Sequence, residues 1–214
     1  MGRGPVGEPA IIRYVNNSLA SVTDVSGSDG AMILIKTLTA SSSSTLSFVN
    51  GSSDVVLDST YPIYKFVYTS MHPSGDGEGF KFQASTNTGS SYGVSCTNTA
   101  FRSEHKEDDS NTGLSYDTGN DLANGTGFFI IGAGTGNDND QSLSGELTLF
   151  SPSSTTFTKH YLATSNSNED ADSSKQYLCA GYFNTTSAID AVQFKFGGGT
   201  MDSGTIKLYG IKDS

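Results

Sequence analysis

The sequence predicts an all-β protein: an antiparallel, jelly-roll-like β-sandwich preceded by a short N-terminal arm or helix. Three observations carry this. First, apolar residues recur at every second position in short runs. Val192, Phe194 and Phe196 alternate with Gln193 and Lys195, and Phe80 and Phe82 with Lys81 and Gln83. Strand side chains point to opposite faces in turn, so each run describes a strand with one apolar face. Second, such runs return at intervals of roughly 10–18 residues, separated by Gly, Ser, Thr, Asn and Asp, the rhythm of a sandwich or barrel. Third, no segment repeats at fixed period, which argues against a solenoid or propeller.

Residues 1–25 read as a separate N-terminal segment. Residues 1–8 are rich in Gly and Pro and are expected to be extended. A short helix is predicted over 9–19. Pro9 suits a first helical turn, Glu8 favours the dipole there, and Ile11, Ile12, Val15 and Leu19 would share one face. A strand competes for the same residues. Packing on the body of the same chain explains the apolar stripe most simply. The sharper reading makes Ile11, Ile12, Tyr14, Val15 and Leu19 a partner-anchoring set, because the arm before them has no core of its own.

Residues 26–214 read as the sandwich. After Gly27–Gly30, strands are predicted at 31–38, 45–49, 63–70, 79–84, 92–101 and 127–131. Further strands are predicted at 143–150, 156–163, 176–184, 189–196 and 205–211. Asn50-Gly51, Ser74-Gly75-Asp76-Gly77, Gly197-Gly198-Gly199 and Ser203-Gly204 supply turns. Two polar, acidic stretches, 106–126 and 164–175, are expected to be exposed loops.

Charge excludes several functions. The net charge is −10, and only 16% of residues are charged, against about 25% in globular proteins generally. A nucleic-acid backbone or an anionic membrane demands clustered Lys and Arg, which are missing. No run approaches the roughly 18 apolar residues of a membrane helix. No apolar segment follows Met1-Gly2-Arg3-Gly4-Pro5, so no signal peptide is expected. Cys96 and Cys179, the two cysteines, lie in strand-like runs. They read as buried free thiols, with a disulfide between neighbouring strands as the other possibility.

Few strings carry chemistry. Phe128–Ile131 running into Gly132-Ala133-Gly134-Thr135-Gly136 begins like a dinucleotide-binding turn. That chemistry requires a following helix whose amides hold the pyrophosphate. Asn137-Asp138-Asn139-Asp140 follows instead, and its carboxylates would repel phosphate. Asp138, Asp140 and Ser142 are spaced as calcium ligands can be, but Leu143 and Leu149 stand where an EF-hand needs Gly and Glu. Glu107-Asp108-Asp109 and Glu169–Asp172 are similar acidic runs, better read as solvated loops. His72, His105 and His160 lack metal-ligand spacing. No nucleophile elbow is present. No metal, cofactor or catalytic residue is therefore expected. Sugar-stacking sites lean on Trp and Tyr; the chain has no Trp, and most of its 10 Tyr alternate with core positions.

Several strings in order resemble one family. They are Tyr64–Tyr68 running into Met71-His72-Pro73, Phe80–Gln83, Ala100-Phe101-Arg102 before His105 and Glu107–Asp109, and Gly136-Asn137-Asp138 before Gly145-Glu146-Leu147. Then come Phe150–Thr156 leading to Lys159-His160, Gly181-Tyr182 before Asn184–Ile189, and Asp202–Ile211. Over about residues 45–212 the chain resembles structural proteins of marine bacteriophage virions, especially cyanophages. The resemblance implies a jelly-roll-like, non-enzymatic virion component, found in the virion and assembled in the host cytoplasm. It brings no catalytic residues. It leads to the expectation of a capsid decoration or cement protein on the outer shell, bound to the major capsid protein or other virion proteins. A homotrimer is expected by analogy with decoration proteins. A tail or fibre component with host-surface glycan binding is the alternative, and a hydrolase on the same scaffold a third.

Overall fold

Every regular element is a strand, and no helix occurs among the described residues, which are 12–15, 18–22 and 31–213 of this computed structural model. The chain divides into two compact units, Met1–Ala31 and Met32–Ser214.

In the first unit, β1 (Ile12–Val15) and β2 (Ser18–Val22) pair antiparallel. The helix predicted over 9–19 is therefore corrected to a hairpin in the described part of that segment. Ile12 and Val15 are β-branched and Tyr14 is aromatic; such residues lose rotamer freedom against a helical turn and suit a pleated strand. The Gly/Pro-rich residues 1–8, and Ile11, lie outside the described residues.

The second unit contains β3 (Met32–Thr39), β4 (Leu46–Val49), β5 (Ile63–Pro73), β6 (Glu78–Ser85), β7 (Cys96–Lys106) and β8 (Thr112–Tyr116). It continues with β9 (Phe129–Thr135), β10 (Leu143–Phe150), β11 (Lys159–Glu169), β12 (Ser173–Phe183), β13 (Ala191–Phe196) and β14 (Met201–Ile211). These 12 strands form an antiparallel, jelly-roll-like sandwich. One sheet has the order β3-β14-β5-β10-β11-β12-β7-β8, and the other β9-β6-β13-β4. The two meet at one corner, where Glu169 of β11 pairs with Thr135 of β9.

The core between the sheets is aromatic. Phe194 on β13 has its ring 5.3 Å from Phe66, 5.8 Å from Phe80 and 6.0 Å from Phe82. Tyr161 on β11 stacks on Phe129 at 5.0 Å and meets Phe82 edge-on at 5.1 Å. Such pairs add about 0.5–1.5 kcal/mol each beyond the area they bury. The period-two runs of the sequence are what place these rings, since Phe80, Phe82, Phe194 and Phe196 are all buried.

Two predicted loops contain strands. β11 and β12 run through 164–175, leaving only a turn at 170–172. The alternation persists there, but in polar residues: Ser165, Ser167, Ser173 and Lys175 are buried on the face that carries Tyr161 and Ala163 farther along. β9 is an edge strand of the smaller sheet, laddered to β6 on one side. On its other side, Ser165 Oγ donates to the Ile131 carbonyl at 2.5 Å and Ser167 Oγ to the Ala133 carbonyl at 2.9 Å. These hydroxyls satisfy acceptors that a bare edge would leave unpaired. The other loop, 106–126, contains β8, whose five residues are all exposed and so carry no pattern of burial.

Candidate functional site

The groups singled out by chemistry are scattered. His72 Nδ1 donates to the Gln141 carbonyl at 2.8 Å, His105 Nε2 lies 3.0 Å from Asp109 Oδ1, and His160 packs near Tyr182 at 6.0 Å. The glycine string is part of a strand: β9 continues through Gly134 to Thr135, and the next element is β10. No helix follows to bind a phosphate. In the acidic loop, Gln141 N donates to the Asp138 carbonyl at 2.9 Å, closing a turn, and Asn137 N donates to Asp76 Oδ1 at 3.2 Å, tying this loop to the one before β6. Among the described residues no three His, Cys, Asp or Glu side chains converge as metal ligands.

Both cysteines are buried free thiols. Cys179 is registered against Ala100, four positions along β7 from Cys96, which rules out a bridge. Cys96 Sγ lies 3.1 Å from Tyr161 Oη, and Asn98 Nδ2 donates to Cys179 Sγ at 3.4 Å. Burial pushes Cys96 up to about 12 and Cys179 up to about 11. Neither is a reactive thiolate near neutral pH.

Two lysines are buried. Lys159 donates from Nζ to the Thr185 carbonyl at 3.2 Å, and burial lowers its pKa. Lys175 sits between Glu169 and Glu104; burial lowers its pKa, and Glu104 opposes that shift. Glu169 also accepts from Ser173 Oγ. This group belongs to the polar end of the interior, beside the corner where the sheets join.

Of the anchoring set, Ile12, Tyr14 and Val15 lie on β1 and Leu19 on β2. Tyr14 is registered against Leu19, Val15 against Ser18 and Ile12 against Val22. The hairpin thus brings Tyr14 and Leu19 together and does not form the four-residue helical stripe.

A concave feature lies on the outer face of the larger sheet, and the sequence does not reveal it. Three hollows run along β11, β12 and β7. The central one, of about 850 Å³, is lined by Ser103, Leu114, Ser144, Thr164, Asn166 and Gln176 among others. At one end it passes through Asn166 and Ser174 into a hollow of about 470 Å³ that reaches Asn168 and Asp109. At the other it passes through Thr164 into an apolar hollow of about 380 Å³ lined by Phe101, Leu162, Leu178 and Ala180. Pairing explains the alignment: Phe101 is registered with Leu178, Leu178 with Thr164, and Phe101 with Tyr116. Leu162, Leu178, Phe101 and Tyr116 are all exposed. Phe101 and Tyr116 meet edge-on at 5.2 Å, and Tyr116 Oη donates to Asp121 Oδ2 at 2.8 Å.

No family model, no curated protein and no solved structure matches the chain.

Proposed function

We propose that the chain is a non-enzymatic structural component of a bacteriophage particle, a decoration protein on the outer shell. Its N-terminal unit fastens it to the major capsid protein or another virion protein, and the body is presented outward as a homotrimer. The ordered set of residue strings between about 45 and 212 supports the phage assignment. The observation that carries the attachment is the division into an extensive sandwich and a unit whose described part is one two-stranded hairpin. An isolated hairpin is marginal in water, so a unit of this kind is completed by a surface on which it docks. Specific association typically buries about 1,600 Å², and repetition over a shell makes modest single contacts sufficient.

The test is rebinding to shells of the source phage from which the protein has been stripped. The full chain is expected to rebind. A chain lacking residues 1–24 is expected to keep its circular dichroism and melting temperature and to stay in the supernatant. Equal rebinding by the two would overturn the assignment of the anchor.

A tail or fibre component with host-surface glycan binding is the second reading. The outer-face trough favours it, being concave and lined by hydroxyls, amides and apolar side chains. Immunogold imaging of intact particles separates the two, by label over the shell or label confined to the tail.

A further inference from the structure

We infer that the outer-face trough along β11, β12 and β7 is a binding site for an uncharged, linear glycan. The inference rests on the glycan-binding reading and goes beyond it by locating the site and naming the ligand class.

The position decides the mode of recognition. β11 and β12 are paired along their full lengths, and β12 is paired to β7 over the same span. Their main-chain donors and acceptors are engaged within the sheet, so a peptide cannot add here as another strand. A ligand on this face is read by side chains alone. From Leu162 to Asn168 the three hollows follow six steps of β11, about 20 Å at the usual strand rise of about 3.3 Å. That length suits a chain of several linked units better than a single small molecule.

The lining decides the class. Asn166 and Gln176 each offer both donors and acceptors, and Ser103, Ser144 and Thr164 add hydroxyls that serve as either. Beside them, Leu162, Leu178 and Phe101 form an apolar shelf. Sugar rings present the same two chemistries, a hydroxyl rim and C–H faces. No lysine or arginine lines the central hollow. Glu104, which does line it, lies 3.7 Å from Lys175, and Glu146 in the apolar hollow lies 3.0 Å from Lys65. With a net charge of −10 on the chain, an anionic polymer is disfavoured and a neutral one is not.

The experiment is affinity electrophoresis of the full chain through gels containing laminarin, xylan, galactomannan or, as the charged control, alginate. At least one neutral polysaccharide is expected to retard the protein. Asn166→Ala/Gln176→Ala is expected to weaken that retardation at least tenfold while leaving the melting temperature unchanged. If the double variant does not fold, Gln176→Ala alone serves in its place. Retardation that survives the substitution overturns the trough and leaves glycan binding standing elsewhere on the molecule. Retardation by none of the neutral polymers, or by alginate alone, overturns this site, and a complete absence of binding removes the glycan reading with it. A self-associated form that Leu178→Lys dissociates, with no neutral polymer bound, assigns the face to a second copy and also overturns the inference.

Discussion

The two ends of the sandwich interior solve the same packing problem with different chemistry. At one end, β11 and β12 bury Tyr161, Ala163, Cys179 and Phe183, and the rings of Tyr161 and Phe183 meet Phe82 and Phe129. At the other end the same face of the same strands buries Ser165, Ser167, Ser173 and Lys175. The rings fill the space between the sheets where they stand apart. Where they converge, small hydroxyls bond the β9 carbonyls directly, and Gly132 and Gly134 allow the approach: a Cβ at Gly132 would overlap Leu143, and one at Gly134 would meet Glu169. Burial on a strand therefore demands a satisfied group of the right size, and an apolar group is one solution among others.

The largest effect is expected from breaking the aromatic end. Phe194→Ala removes a ring that touches Phe66, Phe80 and Phe82, and should cost about 3–5 kcal/mol in urea unfolding. Next comes the hydroxyl end. Ser165 Oγ donates to Ile131 and lies 2.7 Å from Tyr68 Oη, which therefore donates to it. Ser165→Ala should cost about 1–3 kcal/mol. Because Tyr68 and Ser165 share one network, Tyr68→Phe/Ser165→Ala should cost less than the two single changes added, which a double-mutant cycle reads directly.

At alkaline pH the buried acids and the buried lysines act with opposite sign. The thiols ionise near 9.0 in the unfolded chain but only near 12 at Cys96 and near 11 at Cys179 in the folded one. Over that window the unfolded chain has lost protons that the folded chain keeps, so stability falls as pH rises above about 9. Buried Tyr68, Tyr161 and Tyr177, all raised above 10.0, act in the same direction. Lys175, depressed below 10.5 by burial, acts oppositely, since its contribution rises as pH climbs from its folded value toward 10.5. Urea titrations at pH 8, 9 and 10 should show declining stability, and Cys96→Ala should make the decline shallower. The smallest effect is expected on the outer face of the larger sheet: Leu162→Gln should change stability by about 0.5 kcal/mol or less in the same assay.

The aromatic end was legible in the sequence because alternation of Phe and Tyr with Lys and Gln is a hydrophobic signal. The hydroxyl end was not. Ser165, Ser167 and Ser173 also alternate, yet buried serines look like loop serines until their acceptors on a strand some thirty residues away are known. The hairpin β1–β2 was ambiguous because its apolar residues fit helical and extended spacings alike. The trough was illegible for a third reason. Its lining comes from separate strands, and Asn166, Gln176 and Ser103 become neighbours only through the registers of β11 with β12 and β12 with β7. Nothing in the spacing of those residues along the chain foretells the alignment.

The strand order also bears on how the molecule is made. β14 is inserted between β3 and β5, and β13 between β6 and β4. A nascent chain that has emerged from the ribosome only as far as β12 has neither insertion in place, and it exposes strand edges of both sheets to any neighbouring chain. Closure must wait for residues beyond Ala191, and pairings of such long range fold slowly. At the high synthesis rates of a crowded cell, that interval is where chaperones would be needed most.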